Sequence, residues 1–160
     1  METLLEEVIE SISTYISPES FLNAIKKVAQ ERGLVLKTKS ETKRESEPLS
    51  SIKNSIGDSE NRTYQRELEL CSDEQVTYRI QQQTEYEHIW GNGGHSSISS
   101  KLLEINEAVT TLIQSHYHNQ WDTYSDDSED HQGPIENYTR LFSQDSFARA
   151  IFEELKRLRK

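Results

Sequence analysis

The sequence predicts an α+β protein that is mainly helical, and three observations carry that expectation. Apolar residues recur at spacings of three and four in residues 1–16, 18–32, 98–116 and 145–158, the signature of amphipathic helices. Only one stretch, residues 62–83, alternates with the period of two that marks paired strands. Residues 37–61 are rich in Lys, Glu, Ser, Thr and Asn, with few apolar members, and such a composition reads as a flexible linker.

Each element has its own local reasons. Residues 1–16 place Leu5, Val8, Ile9, Ile12, Tyr15 and Ile16 on one helical stripe. Ser17-Pro18 then reads as an N-cap followed by proline at the first helical position. The second helix runs to about Arg32, with Phe21, Leu22, Ile25, Val28 and Ala29 on one face and Gly33 as a left-handed stop. These two helices form an expected N-terminal helical pair, residues 1–36, with Leu34-Val35-Leu36 as a short strand or an extended exit.

After the linker, residues 62–160 are expected to form one unit. Its β-hairpin turns at Ser72-Asp73-Glu74, with Val76, Tyr78 and Ile80 on one face. A hairpin alone is marginal in water and needs a cover. Residues 97–122 are expected to supply it as a long helix. Within it Ile98, Leu102, Ile105, Val109 and Leu112 fall at spacings of 4, 3, 4 and 3, a heptad seam that continues to His116. A short helix follows over 135–142. Asp145 caps a final helix with Phe147, Ile151, Leu155 and Leu158 on one face.

Composition narrows the function. Of 160 residues, 32% are hydrophobic and 29% charged, below the roughly 45–50% apolar share of ordinary globular domains. A net charge of −10 repels phosphate backbones and anionic membranes, so nucleic acid and membrane surfaces are disfavoured partners. A single cysteine, Cys71, excludes an internal disulfide and a Cys-based zinc site. No apolar run approaches the roughly 20 residues of a membrane span. The expected compartment is the cytoplasm or nucleus.

The chemical motifs are weak. Gly91-Asn92-Gly93-Gly94 ahead of a helix would present amides to an anion, but it has no lysine and neither phosphate-binding spacing. His116 and His118 lie two apart, on different faces of a helix. They join Asp122 as metal ligands only if the helix has ended by then. The basic end, Lys156-Arg157-Leu158-Arg159-Lys160, complements a helix dipole. Ser125–Asp130 has the pattern of an acid-directed kinase substrate. No catalytic residue, cofactor or metal is expected.

The leading expectation is therefore a non-enzymatic interaction protein: an adaptor, assembly factor or regulatory subunit. It would bind a protein partner or itself through Ile98, Leu102, Ile105, Val109, Leu112 and His116. Short helical modules, a polar linker and a central coiled coil are similar in plan to viral polymerase-cofactor phosphoproteins, with no shared motif. One alternative is an acidic inhibitor or immunity-type protein using Asp122–Asp130 or Glu6–Glu10 against a basic site. The other is a metal-dependent enzyme built on His116, His118 and Asp122.

Overall fold

The computed structural model describes residues 8–45, 59–89, 93–123 and 130–158. Its elements run β1 (Glu10–Ile12), α1 (Pro18–Glu31), β2 (Val35–Glu45), β3 (Ser59–Ser72), β4 (Gln75–Ile89), β5 (Gly93–Ile105), β6 (Val109–Thr123), β7 (Asp130–Leu141) and α2 (Ser146–Leu158). The seven strands form one antiparallel sheet in the order β1-β7-β6-β5-β4-β3-β2. The protein is thus mostly β-sheet with two helices, and the expectation of a mainly helical fold is overturned.

The largest correction concerns residues 97–122. They form the hairpin β5–β6, turning at Asn106–Ala108, and there is no coiled coil. The likeness in plan to helical phosphoproteins falls with it. Hairpin geometry explains the false heptad: Ile105 pairs with Val109 across the turn, so cross-strand neighbours sit four apart in sequence. A register shift between Leu102 and Leu103 adds one residue opposite the pair and changes the parity again. The seam splits accordingly: Leu102 and Leu112 are fully buried in the core, while Val109 is exposed.

The other corrections share one cause. Residues 10–12 form an edge strand, so the expected first helix of the N-terminal pair is not found among the described residues; residues 1–7 lie outside them. Residues 37–45 and 59–61, inside the expected linker, are strand, and β2 begins two residues before it; residues 46–58 lie outside the described residues. The expected short helix over 135–142 is largely β7. Two side-by-side helices, each about 10 Å across, cover roughly 20 Å of strands that reach 15 residues, or about 50 Å. Beyond that cover both strand faces meet water, so the alternation of apolar and polar residues that would mark a strand is absent.

Other local readings hold. Ser17 caps α1, its hydroxyl accepting from the Ser20 amide at 3.2 Å, with Pro18 in the first turn. Gly33 (φ +74°) ends it: Leu34 N–H reaches Ala29 O at 2.9 Å and Gly33 N–H reaches Gln30 O at 3.2 Å, the paired bonds of a left-handed helix stop. The β3–β4 turn sits where the sequence places it, with Asp73 and Glu74 at φ +53° and +67°, the mirror-image turn that matches strand twist.

The core lies between one face of the sheet and the two helices. Leu68, Ile80, Leu102, Ile113 and Leu141 stand opposite one another across five strands. They pack on Phe21, Ile25 and Val28 of α1 and Phe147, Ile151, Phe152 and Leu155 of α2. Each large apolar side chain buried here contributes about 1.5–3 kcal/mol.

The next row across the sheet is small and polar: Gln82, Ser100, Ser115 and Thr139, all buried. The segment between β1 and α1 crosses the strands over this row. Ser115 Oγ accepts from Ile16 N at 2.7 Å, Thr139 Oγ1 lies 3.0 Å from Thr14 O, and Gln82 Nε2 donates to Pro18 O at 2.8 Å. Short side chains let the crossing backbone approach, and their polar atoms satisfy its hydrogen bonds.

Candidate functional site: the sheet surface beyond the helices

The same face of the sheet continues past the crossing segment. The first row beyond it holds Tyr64, Thr84, Ile98 and Tyr117, and the second Arg62, Tyr86, Ser96 and Asn119. His88, Gly94 and Trp121 follow. Residues opposed in an antiparallel pair share a face, so this surface is set by register.

Aromatic rings dominate it. Tyr117 packs on Tyr15 of the crossing segment with ring centroids 5.0 Å apart. Trp121 on β6 lies 6.0 Å from both Tyr86 and His88 on β4, although β5 runs between them. Gly94 permits that reach by placing no side chain between the rings. It is also closely hemmed: a Cβ there would lie 2.1 Å from the Glu87 carbonyl oxygen and 2.9 Å from His88 Cα.

Two arginines border the rings. The Arg62 guanidinium lies 4.4 Å from the Tyr86 ring centroid, an attractive cation–ring contact, and its side chain is half exposed at 51%. Arg66 is 5.8 Å from the Tyr64 ring and donates to Gln82 Oε1. The Tyr64 hydroxyl donates to Glu41, and that bond holds the phenol above its ordinary pKa. Between the end of β2 and β3, β4 and β5 these residues enclose an open hollow of about 320 Å³, lined by Lys43, Arg62, Tyr64, Thr84, Tyr86 and Ile98 among others. The hollow is at the small end of the size range of small-molecule sites.

The opposite face carries different chemistry. Strand period two brings His116 and His118 to one face, which a helix would not. His118 stacks on His95 with centroids 5.9 Å apart; His95 Nε2 is 3.1 Å from Glu87, and His116 Nε2 is 3.9 Å from Glu136. Burial pushes the His116 pKa down. No group of three His, Cys, Asp or Glu able to hold a metal occurs among the described residues. The side chains of Asp122 and His131 lie outside the described residues.

The remaining sequence candidates are accounted for as follows. Of the expected interaction residues, Ile98 lines the hollow, Leu102 and Leu112 are core, Ile105 is half-buried near the β5–β6 turn, Val109 is exposed, and His116 is on the opposite face. Gly93 and Gly94 open β5 instead of preceding a helix; Gly91 and Asn92 lie outside the described residues. Glu10 is paired with Arg149 and Lys156, and Arg157 with Glu154. These ion pairs occupy part of the acidic N-terminal surface and of the basic end. Residues 124–129, most of the acidic run, lie outside the described residues, as do Arg159 and Lys160. Cys71 is buried and free. No described helix is long and apolar enough to cross a membrane.

Sequence reasoning missed Arg62, Tyr64, Tyr86 and Trp121 as a group. The available signal was single aromatic residues spaced among polar ones in residues 62–88 and 117–121, but the register that assembles them joins strands far apart in the chain.

No protein-family profile, curated protein or solved structure matches the chain.

Proposed function

We propose that this chain is a non-enzymatic binding protein that acts through the sheet surface beyond the crossing segment. The observation that carries this reading is the Arg62–Tyr86–Trp121 arrangement on strands that outrun their helical cover. Half-buried aromatic rings beside an exposed arginine, as here, are the usual energetic centres of binding surfaces. In the hollow the Tyr64 hydroxyl is engaged by Glu41, which holds the phenol above its ordinary pKa and suits it to a contact role. This surface replaces the helical seam as the contact region. A buried lone cysteine accords with a reducing compartment, the cytoplasm or nucleus.

The test is a comparison of the wild-type chain with Tyr86→Glu, by light scattering after size exclusion and by analysis of what co-purifies. A bound species or a self-associated form present in wild type and lost in the variant, with the melting temperature kept, supports the reading. Retention of every bound species in the variant overturns it.

A further inference from the structure

We infer that the hollow between β2, β3, β4 and β5 takes a small, flat organic anion, an aromatic carboxylate or sulfonate. The inference rests on the binding-protein reading and assigns its ligand class.

Shape and wall chemistry come first. The two tyrosines lie diagonally across β3 and β4, Tyr64 opposite Thr84 and Tyr86 opposite Arg62. Ile98 on β5 provides the apolar floor beside Thr84. Ring faces and an aliphatic floor favour a flat apolar body, because offset stacking and surface removal from water act together. At about 320 Å³, the space suits one or two fused rings with a substituent and excludes a folded macromolecular segment.

Charge fixes the remaining group. The chain as a whole carries −10, and on the hollow's face of the sheet the charged lining residues are Lys43 and Arg62 beside Glu45, with Arg44 and Glu85 on the opposite face by register. Lys43 has no ion-pair partner among the described residues. Among the described residues Arg62 has one ion-pair partner, Glu60, at the 4.0 Å limit, which leaves other donors of its fork for a ligand. Its plane is steadied by the Tyr86 ring, and a guanidinium held this way presents two parallel N–H donors to a planar oxyanion.

The test titrates the full chain with 1-anilinonaphthalene-8-sulfonate and, separately, with the neutral N-phenyl-1-naphthylamine, which has the same rings without the sulfonate. Calorimetry or probe fluorescence reports affinity and stoichiometry. The expected result is one sulfonate-probe site per chain, weakened about tenfold by Arg62→Gln, the worth of one charge-assisted contact. The neutral probe should bind more weakly to wild type and lose nothing in Arg62→Gln. Ile98→Glu should abolish both, and Thr84→Glu repeats that test at a second floor position. Circular dichroism verifies that each variant is folded. Equal affinity for the two probes, or sulfonate binding indifferent to Arg62→Gln and Thr84→Glu, overturns the anion assignment. If no probe binds while Tyr86→Glu still releases a co-purifying species, the ligand class is wrong and the binding-protein reading survives; if neither effect is seen, both fall.

Discussion

Gln82 on β4 donates its side-chain amide to the main-chain carbonyl of Pro18 at 2.8 Å, joining the middle of the sheet to the first turn of α1. The same side chain reaches Ser100 at 3.2 Å and accepts from Arg66, and it is 3% exposed. It marks the divide between the apolar core and the open half of the sheet. Gln82→Leu keeps the volume but strands the Pro18 carbonyl and the Arg66 guanidinium. The expected loss is about 1–3 kcal/mol, a fall of several degrees in thermal melting followed by far-ultraviolet circular dichroism.

The Tyr78 hydroxyl lies 3.2 Å from Asp145, whose carboxylate also accepts from the Ala148 amide at 3.0 Å. One carboxylate thus caps α2 and anchors it to β4, where the Tyr78 ring packs on Phe147 at 4.5 Å. Burial, then Asp145, pushes the Tyr78 pKa well up, so the phenol stays a donor through neutral pH. Tyr78→Phe should cost about 1 kcal/mol, and Asp145→Ala about 1–2 kcal/mol through the lost cap. The double variant should cost less than the sum, measured by a denaturant double-mutant cycle; strict additivity would show the two groups to be uncoupled.

The β3–β4 turn holds two side-chain-bearing residues, Asp73 and Glu74, at positive φ. That conformation costs an L-residue about 1–2 kcal/mol, and Glu offers less compensation than Asn or Asp. Glu74→Gly should stabilise the protein by about 1 kcal/mol, and Glu74→Val should destabilise it. Urea midpoints of the two variants on either side of wild type would establish the turn strain.

Gly94→Ala places a methyl against the Glu87 carbonyl, backbone that cannot rotate away. Forced separation of β4 and β5 should cost about 1–3 kcal/mol and loosen Trp121 from Tyr86. Near-ultraviolet circular dichroism should lose aromatic signal while the far-ultraviolet strand signal persists.

His116 titrates below its ordinary value because burial disfavours the imidazolium, an effect that Glu136 opposes and that His118, Arg140 and Lys101 reinforce. The unfolded chain therefore binds a proton more readily. Stability from this residue is fully present above the ordinary histidine range and declines as pH falls through it toward the folded value. His116→Gln should flatten that part of the melting-temperature profile; an unchanged slope would assign the acid sensitivity elsewhere.

The parts legible from sequence are those decided by local chemistry. Ser17-Pro18 and Gly33 bound α1, Asp145 and the Phe147–Leu155 stripe mark α2, and Asp73-Glu74 marks a turn, because caps and turns are set within a few residues. The sheet was hidden for two physical reasons. Strands such as Gln81–His88 leave the core and carry polar residues on both faces. The β5–β6 hairpin places Ile105 opposite Val109, reproducing a helical spacing of four. The hollow needs contacts between residues far apart in the chain, such as Arg62 with Tyr86 and Tyr86 with Trp121, and no local pattern encodes these.

The outermost strand, β2, is exposed along most of its length and paired on one side only, to β3. Such a border invites a neighbouring chain to extend the sheet. Here Lys37, Lys39, Lys43 and Arg44 crowd it, and the register slips between Thr38 and Ser40. An incoming strand would have to strip water from several cations and follow a kinked ladder. At the far border, β1 spans three residues and pairs with Thr139–Leu141 at the end of β7. The β2 border therefore carries its own obstacle to sheet extension, built from its cations and its bulge.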